Sequence, residues 1–304
     1  MATELGQIVQ KLVPKLGDLE GEPKPLEGGI TNRNYLVTLG GKRYVIRVPG
    51  KDTSLLGIDR GAERDANARA AELGIAPRVA AQLDDPPCLV TDFIDCTPLE
   101  AEDLRDPKNM PAVAAMLRKV HDSEGTVPTD FDSFRVVEEY AETARERGVE
   151  VPDDFGSAHE TAGRIEAALT GPEHEPVPCH NDLLAANFLK TAEQIYIVDW
   201  EYAGMGNRYF DLANFAINNE LAAEQHPALL ESYFGAEPSS AQLAALRLMM
   251  FMSDFREAMW GVVQSGVSDL DFDFNDYAAT HFTRMRKTAA EESFATWLQE
   301  ASAS

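Results

Sequence analysis

The chain has 304 residues, of which 44% are hydrophobic and 26% are charged, a mixture typical of a globular protein with room for two lobes. It carries 51 Asp and Glu against 27 Lys and Arg, which gives a formal net charge of −24. This acidic balance argues against nucleic acid or an anionic membrane as a partner, because both are bound through basic patches. A small cationic substrate, or simply an acidic solvated surface, fits the charge.

The cysteines and the N-terminus indicate where the protein works. Cys88, Cys96 and Cys179 are odd in number and have no Cys-x-x-Cys spacing, so we expect neither disulfides nor a zinc site. The amphipathic N-terminus lacks the long apolar core of a signal peptide, and no run approaches the roughly 18 apolar residues of a membrane span. We therefore expect a soluble cytoplasmic protein with no membrane partner.

The first third of the chain predicts a helix followed by a small sheet. Apolar residues recur at helical spacing from Leu5 to Val13. Gly40-Gly41 predicts a two-residue hairpin turn between strands at 34–38 and 44–48. A helix at 60–73 is followed by two further strands, at 79–83 and 88–93. The segment therefore predicts a small antiparallel sheet.

The loop from Gly28 to Asn34 has two interpretations. Gly28-Gly29 can be a plain turn between strands. Alternatively the loop lies over the phosphates of a nucleotide, with backbone amides and the side chains of Thr31, Asn32 and Asn34 as donors. The glycines alone do not decide between these interpretations.

Arg47 interrupts an apolar strand with a permanent charge, which is costly to bury unless it is paired. Glu63 lies in the first turns of the following helix and is the natural partner. An arginine on a strand paired with a glutamate on the next helix would repeat the Lys–Glu pair with which protein kinases hold nucleotide phosphates. The alternative is an edge-strand arginine that reaches water.

After Phe93 the chain leaves the predicted sheet and becomes mostly helical, so we place a lobe boundary between residues 95 and 96. Helices are predicted at 110–121, 135–147, 158–169, 212–221, 228–234, 241–264 and 277–298. Strands followed by helices predict an α+β protein with a small antiparallel sheet in the N-terminal lobe, 1–95, and a larger helical lobe, 96–304.

The stretch from Val177 to Asp211 contains the residues most typical of a reaction site. His180-Asn181-Asp182 begins a loop that runs to Asn187, and a short apolar strand at 195–198 ends at Asp199. Asp182, Asn187 and Asp199 all offer hard oxygen ligands of the kind that Mg²⁺ takes beside nucleotide phosphates. If Asp182 is left free as a base, the layout is that of a phosphoryl-transfer site.

Four motifs, GGITNRNYLV, YVIRVPG, CHNDLLAANF and IVDWEYAGMGNRYFDLANF, resemble in order and spacing those of the choline/ethanolamine kinase family. The resemblance spans roughly residues 25–265 and is closer to this family than to the related aminoglycoside phosphotransferases. It implies a two-lobed protein-kinase-like fold and an ATP- and Mg²⁺-dependent kinase of the bacterial choline kinase branch. The implied substrate is choline, or a related amino alcohol such as ethanolamine.

The resemblance implies roles for the central residues. Asp182 is implied to be the catalytic base, and Asn187 and Asp199 are implied to be Mg²⁺ ligands. Arg47 and Glu63 are the implied phosphate anchor. Thr31, Asn32, Asn34 and Phe93 complete the predicted nucleotide site.

The remaining roles concern loop support and the alcohol substrate. His180 and Asp211 are implied to brace the catalytic loop rather than to handle protons. Glu201, Tyr202 and Trp260 are implied to lie on the substrate side, where an aromatic face suits a quaternary ammonium.

Two positions depart from the family pattern. Glu257 stands where eukaryotic choline kinases have a second pocket tryptophan, and Asn218 stands where they have a pocket glutamate. A carboxylate in place of an aromatic wall favours an amine that can donate hydrogen bonds over a fully methylated one. A kinase for an aminoglycoside or another amino alcohol therefore remains an alternative, as does a nucleotide-binding pseudokinase with a regulatory role.

Overall fold

The computed structural model of the protein describes residues 4–26, 32–268 and 270–302. A five-stranded antiparallel sheet lies near the N-terminus, with its strands in the order β1-β2-β3-β5-β4. Its strands are β1 (Leu19–Leu26), β2 (Asn32–Leu39), β3 (Lys42–Pro49), β4 (Val79–Asp84) and β5 (Pro87–Asp92). The predicted strands are confirmed, each within a few residues.

The turn between β2 and β3 is the predicted two-residue hairpin. The two strands pair from Leu39 opposite Lys42 to Asn32 opposite Pro49. Gly40 and Gly41 have φ values of 55° and 76°, a left-handed conformation that glycine adopts without strain and that matches the strand twist. The Gly28-Gly29 turn and Thr31 lie outside the described residues.

A helix covers one face of this sheet and forms a first hydrophobic core with it. Helix α1 (Glu4–Leu16) buries Ile8 and Leu12 against Val37 and Ile46 of the strands. The apolar residues of α1 recur every three to four positions and those of the strands at every second position. In each case this spacing puts the apolar side chains on one face of the element, where they pack together. The sheet is thereby stabilised independently of the larger core described next.

The rest of the chain is mainly helical and surrounds a second core. Helix α2 (Arg60–Glu72) begins at Asp59, whose side chain accepts the Ala62 N–H at 2.8 Å. The following helices are α3 (Ala101–Arg105), α4 (Met110–His121), α5 (Ser133–Glu146), α6 (Asp154–Ala168), α7 (Arg208–Asn218), α8 (His226–Phe234), α9 (Ser240–Val267), α10 (Phe274–Ala289) and α11 (Phe294–Ala301).

Helix α9 is the centre of the second core. It packs against α5, α7, α10 and α11, and its middle is buried on every side, as expected for a helix inside a large core. This helix nevertheless carries Asp254, Arg256 and Glu257, all of them buried. Buried charges must be paired or hydrogen-bonded, so we expect each of these residues to have a polar partner inside the core.

Short strands position the loops of the second part. Strands β6 (Thr97–Pro98), β8 (Phe188–Lys190) and β9 (Ile195–Ile197) form one small sheet, and β7 (Val177–Cys179) pairs with β10 (Gly204–Gly206). The loop after β7 and the segment after β9 contain the residues singled out by the sequence. A small antiparallel sheet followed by a larger helical portion confirms the predicted α+β class.

One prediction about the helices is wrong. The segment 277–298 is not one helix, because α10 ends at Ala289 and α11 begins at Phe294. After the break, Phe294 and Trp297 pack into the second core. None of the described helices is both long enough and apolar enough to cross a membrane.

Candidate active site

Asp211 holds the loop after β7 in place. This fully buried residue of the first turn of α7 accepts the backbone N–H of His180 at 2.8 Å and that of Asn181 at 2.6 Å. His121 Nε2 lies 3.0 Å from the same carboxylate. Burial opposes the charge on Asp211, but its interactions with His121 and the hydrogen bond from the His180 backbone N–H hold its pKa below the usual value. The loop is thus bound to a carboxylate that stays ionised.

His180 orients the next residues through both of its ring nitrogens. Nε2 donates to the Val198 carbonyl at 3.0 Å, and Nδ1 accepts the backbone N–H of Asp182 at 3.2 Å. Burial lowers the pKa of His180, so the neutral ring that this pattern requires is the form present at neutral pH. Both ring nitrogens are therefore engaged, which is the geometry that the expected loop-bracing role requires, and that role stays a prediction.

Asp182 lies in a nearly water-free environment. Asn187 Nδ2 donates to the backbone carbonyl of Asp182 at 2.8 Å and lies 3.3 Å from its Oδ2. Arg256 Nη1 is 3.9 Å from Oδ1 of the same aspartate. Burial raises the pKa of Asp182 to about 7, and Arg256 opposes that rise. A carboxylate with a pKa near neutrality is well suited to accept a proton from an alcohol.

Asn187 and Asp199 offer the oxygen ligands that the sequence predicted. Asn187 ends a short 3₁₀ turn, Ala185–Asn187, and since its Nδ2 is used by Asp182, its Oδ1 is left as a ligand atom. Asp199 follows β9 with a φ of 69°, a left-handed conformation uncommon for residues other than glycine and often found at functional sites. Its carboxylate forms an ion pair with Arg47, so a positive charge already faces it.

Arg47 and Glu63 form an ion pair between strand and helix, with 3.0 Å between Nη1 and Oε1. Arg47 also contacts Asp199, and its Nη2 is 3.7 Å from Glu201. The side chain of Arg47 is only 12% exposed, so this charge is compensated by carboxylates and not by water. The strand arginine therefore does not reach solvent, and the edge-strand alternative is excluded.

Arg60 enlarges this cluster and was not predicted. Its Nη1 lies 2.7 Å from Glu63 and 3.0 Å from Glu201. Asn32 Nδ2 donates to the same Glu201 carboxylate at 3.0 Å. Two arginines thus share the buried carboxylates that connect β2, β3 and α2 with the segment after β9. The sequence showed Arg60 only as the first residue of a helix, and no signal set it apart.

The other predicted nucleotide residues lie on the same sheet. Asn34 is directly opposite Arg47 in the β2–β3 register. Phe93 follows β5, and the guanidinium of Arg43 lies 4.5 Å from its ring centre. Asn34 and Phe93 therefore belong to neighbouring parts of the sheet, but no contact among the described residues joins their side chains.

The predicted substrate aromatics are joined to each other but largely enclosed. Trp260 Nε1 donates to the Tyr202 hydroxyl at 2.8 Å. The indole is 4% exposed and packs against Phe274 and Tyr277 at ring-centre distances of 5.7 and 5.5 Å. One face of Tyr202 is covered by Arg256, whose guanidinium carbon lies 4.2 Å from the ring centre.

Glu257 is likewise engaged within the protein. It accepts from Arg256 Nη1 at 2.8 Å and from the Tyr277 hydroxyl at 2.9 Å. Burial opposes its ionisation, but Arg256, His281 and the hydrogen bond from Tyr277 together outweigh burial and lower the pKa of Glu257. Because Arg256 already neutralises it, the Glu257 carboxylate is not free to bind the ammonium group of a substrate.

Asn218 stands apart from these residues. It is the last residue of α7, and its Nδ2 is buried without a hydrogen-bond partner among the described residues. The contacts within the described part of the chain do not join it to the other predicted substrate residues. Its place in the site rests on the resemblance alone.

Arg256 is the most important residue that the sequence reasoning missed. It contacts Asp182, Tyr202 and Glu257, three of the predicted site residues. The signal that could have found it is the one that found Arg47, a permanent charge within an apolar segment. On a helix as long as α9 that signal is weaker, because a charge can lie on a solvated face.

Comparison with known proteins agrees with this geometry. The sequence profile of the choline/ethanolamine kinase family matches residues 24–242. Ethanolamine kinase 2 of Homo sapiens is 26% identical over 318 residues, which cover 94% of this chain and 81% of that protein. Probable choline kinase 1 of Arabidopsis thaliana is 24% identical over 321 residues, with coverages of 92% and 91%.

The fold agrees as well. The crystal structure of a choline/ethanolamine kinase family protein from Mesorhizobium loti superposes with a TM-score of 0.84 at 27% sequence identity. The match covers 99% of this chain and 100% of that one. This similarity confirms the predicted kinase-like fold, whereas the boundary at residues 95 and 96 stays a prediction.

Proposed function

The chain belongs to the choline/ethanolamine kinase family and is a phosphotransferase that acts on an alcohol, and we propose that it transfers the γ-phosphoryl group of ATP to a small amino alcohol. Choline and ethanolamine are the two candidate acceptors, because they are the substrates named for its relatives. In this proposal residues 1–95 bind the nucleotide and residues 96–304 bind the acceptor.

One observation carries the proposal, which is the contact between Arg47 of the sheet and Asp199 beside the catalytic loop. Arg47 is also paired to Glu63, as a phosphate-anchoring residue of a kinase would be. This contact supports a site in which the proposed phosphate anchor and the proposed magnesium ligand Asp199 act on the same phosphoryl group.

Asn187 and Asp199 fit a magnesium ion. Both offer hard oxygen ligands, and the ion pair of Asp199 with Arg47 indicates that a positive charge is favourable at this position. When bound with ATP, Mg²⁺ would offset the negative charge of the phosphates. On the sheet side, Asn32, Asn34 and Phe93 belong to the proposed nucleotide site, and Thr31, which lies outside the described residues, is included from the resemblance.

The protein's own residues then position the alcohol. Asp182 accepts a hydrogen bond from the substrate hydroxyl and takes up its proton as the oxygen attacks the γ-phosphorus, while the bond from this phosphorus to the bridging oxygen breaks and ADP leaves. His180 and Asp211 keep the loop rigid through backbone hydrogen bonds, so Asp182 is aimed before the substrate arrives. Catalysis is therefore mainly positioning and electrostatic stabilisation.

The acceptor side is assigned to Glu201, Tyr202, Glu257 and Trp260, with Asn218 as a further candidate. A cavity beside Tyr202 is lined by Asp59, Asp130, Glu139 and Glu201, and none of its lining residues is basic. This observation supports a cationic acceptor, and it also favours a polycationic aminoglycoside as the second candidate.

A coupled assay that follows ADP release with choline, ethanolamine and kanamycin as acceptors tests the proposal. We expect alcohol-dependent turnover with at least one amino alcohol, and loss of turnover when EDTA removes divalent cations. Preferential use of kanamycin would favour the second candidate. Nucleotide binding without turnover on any acceptor would contradict the kinase assignment and indicate a pseudokinase.

A further inference from the structure

Arg256 occupies the place in which a cationic substrate group would be expected. Its guanidinium is 1% exposed and lies 4.2 Å from the ring centre of Tyr202. Its Nη1 is 2.8 Å from Glu257 and 3.9 Å from the catalytic Asp182. An aromatic face and a carboxylate are the two groups that bind an ammonium ion, and here a side chain of the protein uses both.

A quaternary ammonium depends on aromatic faces because it has no N–H to donate. The covered face of Tyr202 is not open to it, and Trp260 is 4% exposed beneath Phe274 and Tyr277. The aromatic residues thus do not form an open box.

We propose that Arg256 is a specificity-determining residue that excludes quaternary ammonium groups and reserves the acceptor site for alcohols whose amine carries N–H. The N–H groups of such an amine can pair with the carboxylates of Asp130 and Glu139, which line the cavity beside Tyr202. The inference rests on the proposed function, and of its two candidate acceptors it selects ethanolamine-like alcohols over choline.

The test measures the dissociation constants of choline and ethanolamine by ligand-observed NMR, so that the readout does not depend on turnover. The variant R256M/E257Q removes both charges of the buried pair together, which leaves no uncompensated charge behind. E257Q alone keeps Arg256 over Tyr202, and R256K keeps a positive charge at the same position. Thermal unfolding of each variant verifies that it is folded.

We expect the wild type to bind ethanolamine more tightly than choline. In R256M/E257Q the preference should move toward choline by about tenfold, which corresponds to the strength of a single cation–π interaction. E257Q and R256K should keep the wild-type preference.

A wild type that binds choline more tightly than ethanolamine would overturn the inference without any variant. An unchanged preference in a folded R256M/E257Q protein would overturn it as well. If the proposed function is wrong, no amino alcohol will be phosphorylated in the coupled assay. The dissociation constants measured by NMR test the role of Arg256 separately from that result.

Discussion

The carboxylate of Asp182 lies 3.9 Å from the guanidinium of Arg256, and the two side chains are only 12% and 1% exposed. The same guanidinium pairs with Glu257 at 2.8 Å, so one positive charge serves two carboxylates. In a site so poor in water, the loss of any one of these charges leaves another uncompensated. A substitution in this cluster can therefore lower both the activity and the stability of the protein, so each variant needs a measurement that distinguishes the two effects.

Replacing Asp182 with Asn keeps the shape of the side chain but removes the base. We expect kcat to fall by about 10²–10⁴-fold, because a positioned general base contributes that much to proton transfer. Nucleotide affinity should change little, since Arg47 and Asp199 are untouched. Steady-state kinetics with calorimetric titration of ATP measures both quantities, and turnover close to that of the wild type would refute the assignment of Asp182.

Replacing Arg47 with Met should weaken ATP binding. Hydrogen bonds to a charged group contribute about 1.5–3 kcal/mol each, so the Kd should rise more than about tenfold. Arg64→Met is a matched control, because Arg64 is 45% exposed and pairs with its neighbour Asp65 on α2. Surface pairs contribute little, and the control should bind ATP as the wild type does. Equal affinities of the two variants would remove Arg47 from the nucleotide site.

Replacing Asp199 with Asn should raise the Mg²⁺ concentration needed for half-maximal activity by about tenfold or more, because a charged oxygen ligand is lost. Asp95→Asn is the control, since Asp95 is 84% exposed and pairs with Arg43 at the surface. Titration of activity with MgCl₂ after treatment with EDTA measures the effect. An identical magnesium requirement in both variants would contradict the assigned ligand.

Replacing Asp211 with Asn should destabilise the protein. The fully buried carboxylate accepts from two backbone N–H groups and from His121, and weakening these charge-assisted bonds should cost about 2–3 kcal/mol. Asp122→Asn provides the comparison, because Asp122 is 51% exposed and should contribute less than about 1 kcal/mol. Urea denaturation measures the difference, and equal stability of the two variants would show that Asp211 does not brace the loop.

Stability should also fall on mild acidification, in part through His226. Burial lowers the pKa of this residue, which is 4% exposed, and Arg247 lowers it further. The unfolded chain therefore binds a proton near pH 6.5 that the folded protein does not, and stability present above that pH is lost as pH falls toward the folded pKa. The slope for one proton is at most about 1.4 kcal/mol per pH unit.

His226→Gln should make the loss of stability between pH 7.5 and pH 5.5 smaller than in the wild type. The control is His159→Gln, which changes a histidine that is 47% exposed at the surface. Denaturation at the two pH values checks the prediction, and a loss as large in His226→Gln as in the wild type would contradict it.

Much of this structure could be predicted because the patterns that specify it are local. Gly40-Gly41 between alternating strands predicts a hairpin, since glycine alone adopts the required left-handed conformation easily. Met110–His121 was predicted to the residue from apolar periodicity. The break between α10 and α11 could not be predicted, because no Gly or Pro marks it and the packing of Phe294 and Trp297 decides it.

For the site, the chain by itself supplies the residues that predict the chemistry, and the tertiary structure decides which of their side chains are paired. His180, Asp182, Asn187 and Asp199 lie within twenty residues, and their types and spacing already predict a base and oxygen ligands. By contrast, Asp211 and His121 are brought together from distant parts of the chain.

The position of Arg256 was also decided by tertiary structure. Sequence shows that a charge interrupts an apolar helix, but not whether it meets water, a carboxylate or an aromatic ring. Burial of α9 on all sides removes water as an option, so Arg256 must pair with Glu257 and lie against Tyr202. The energy of a buried charge depends on neighbours that only the folded chain supplies.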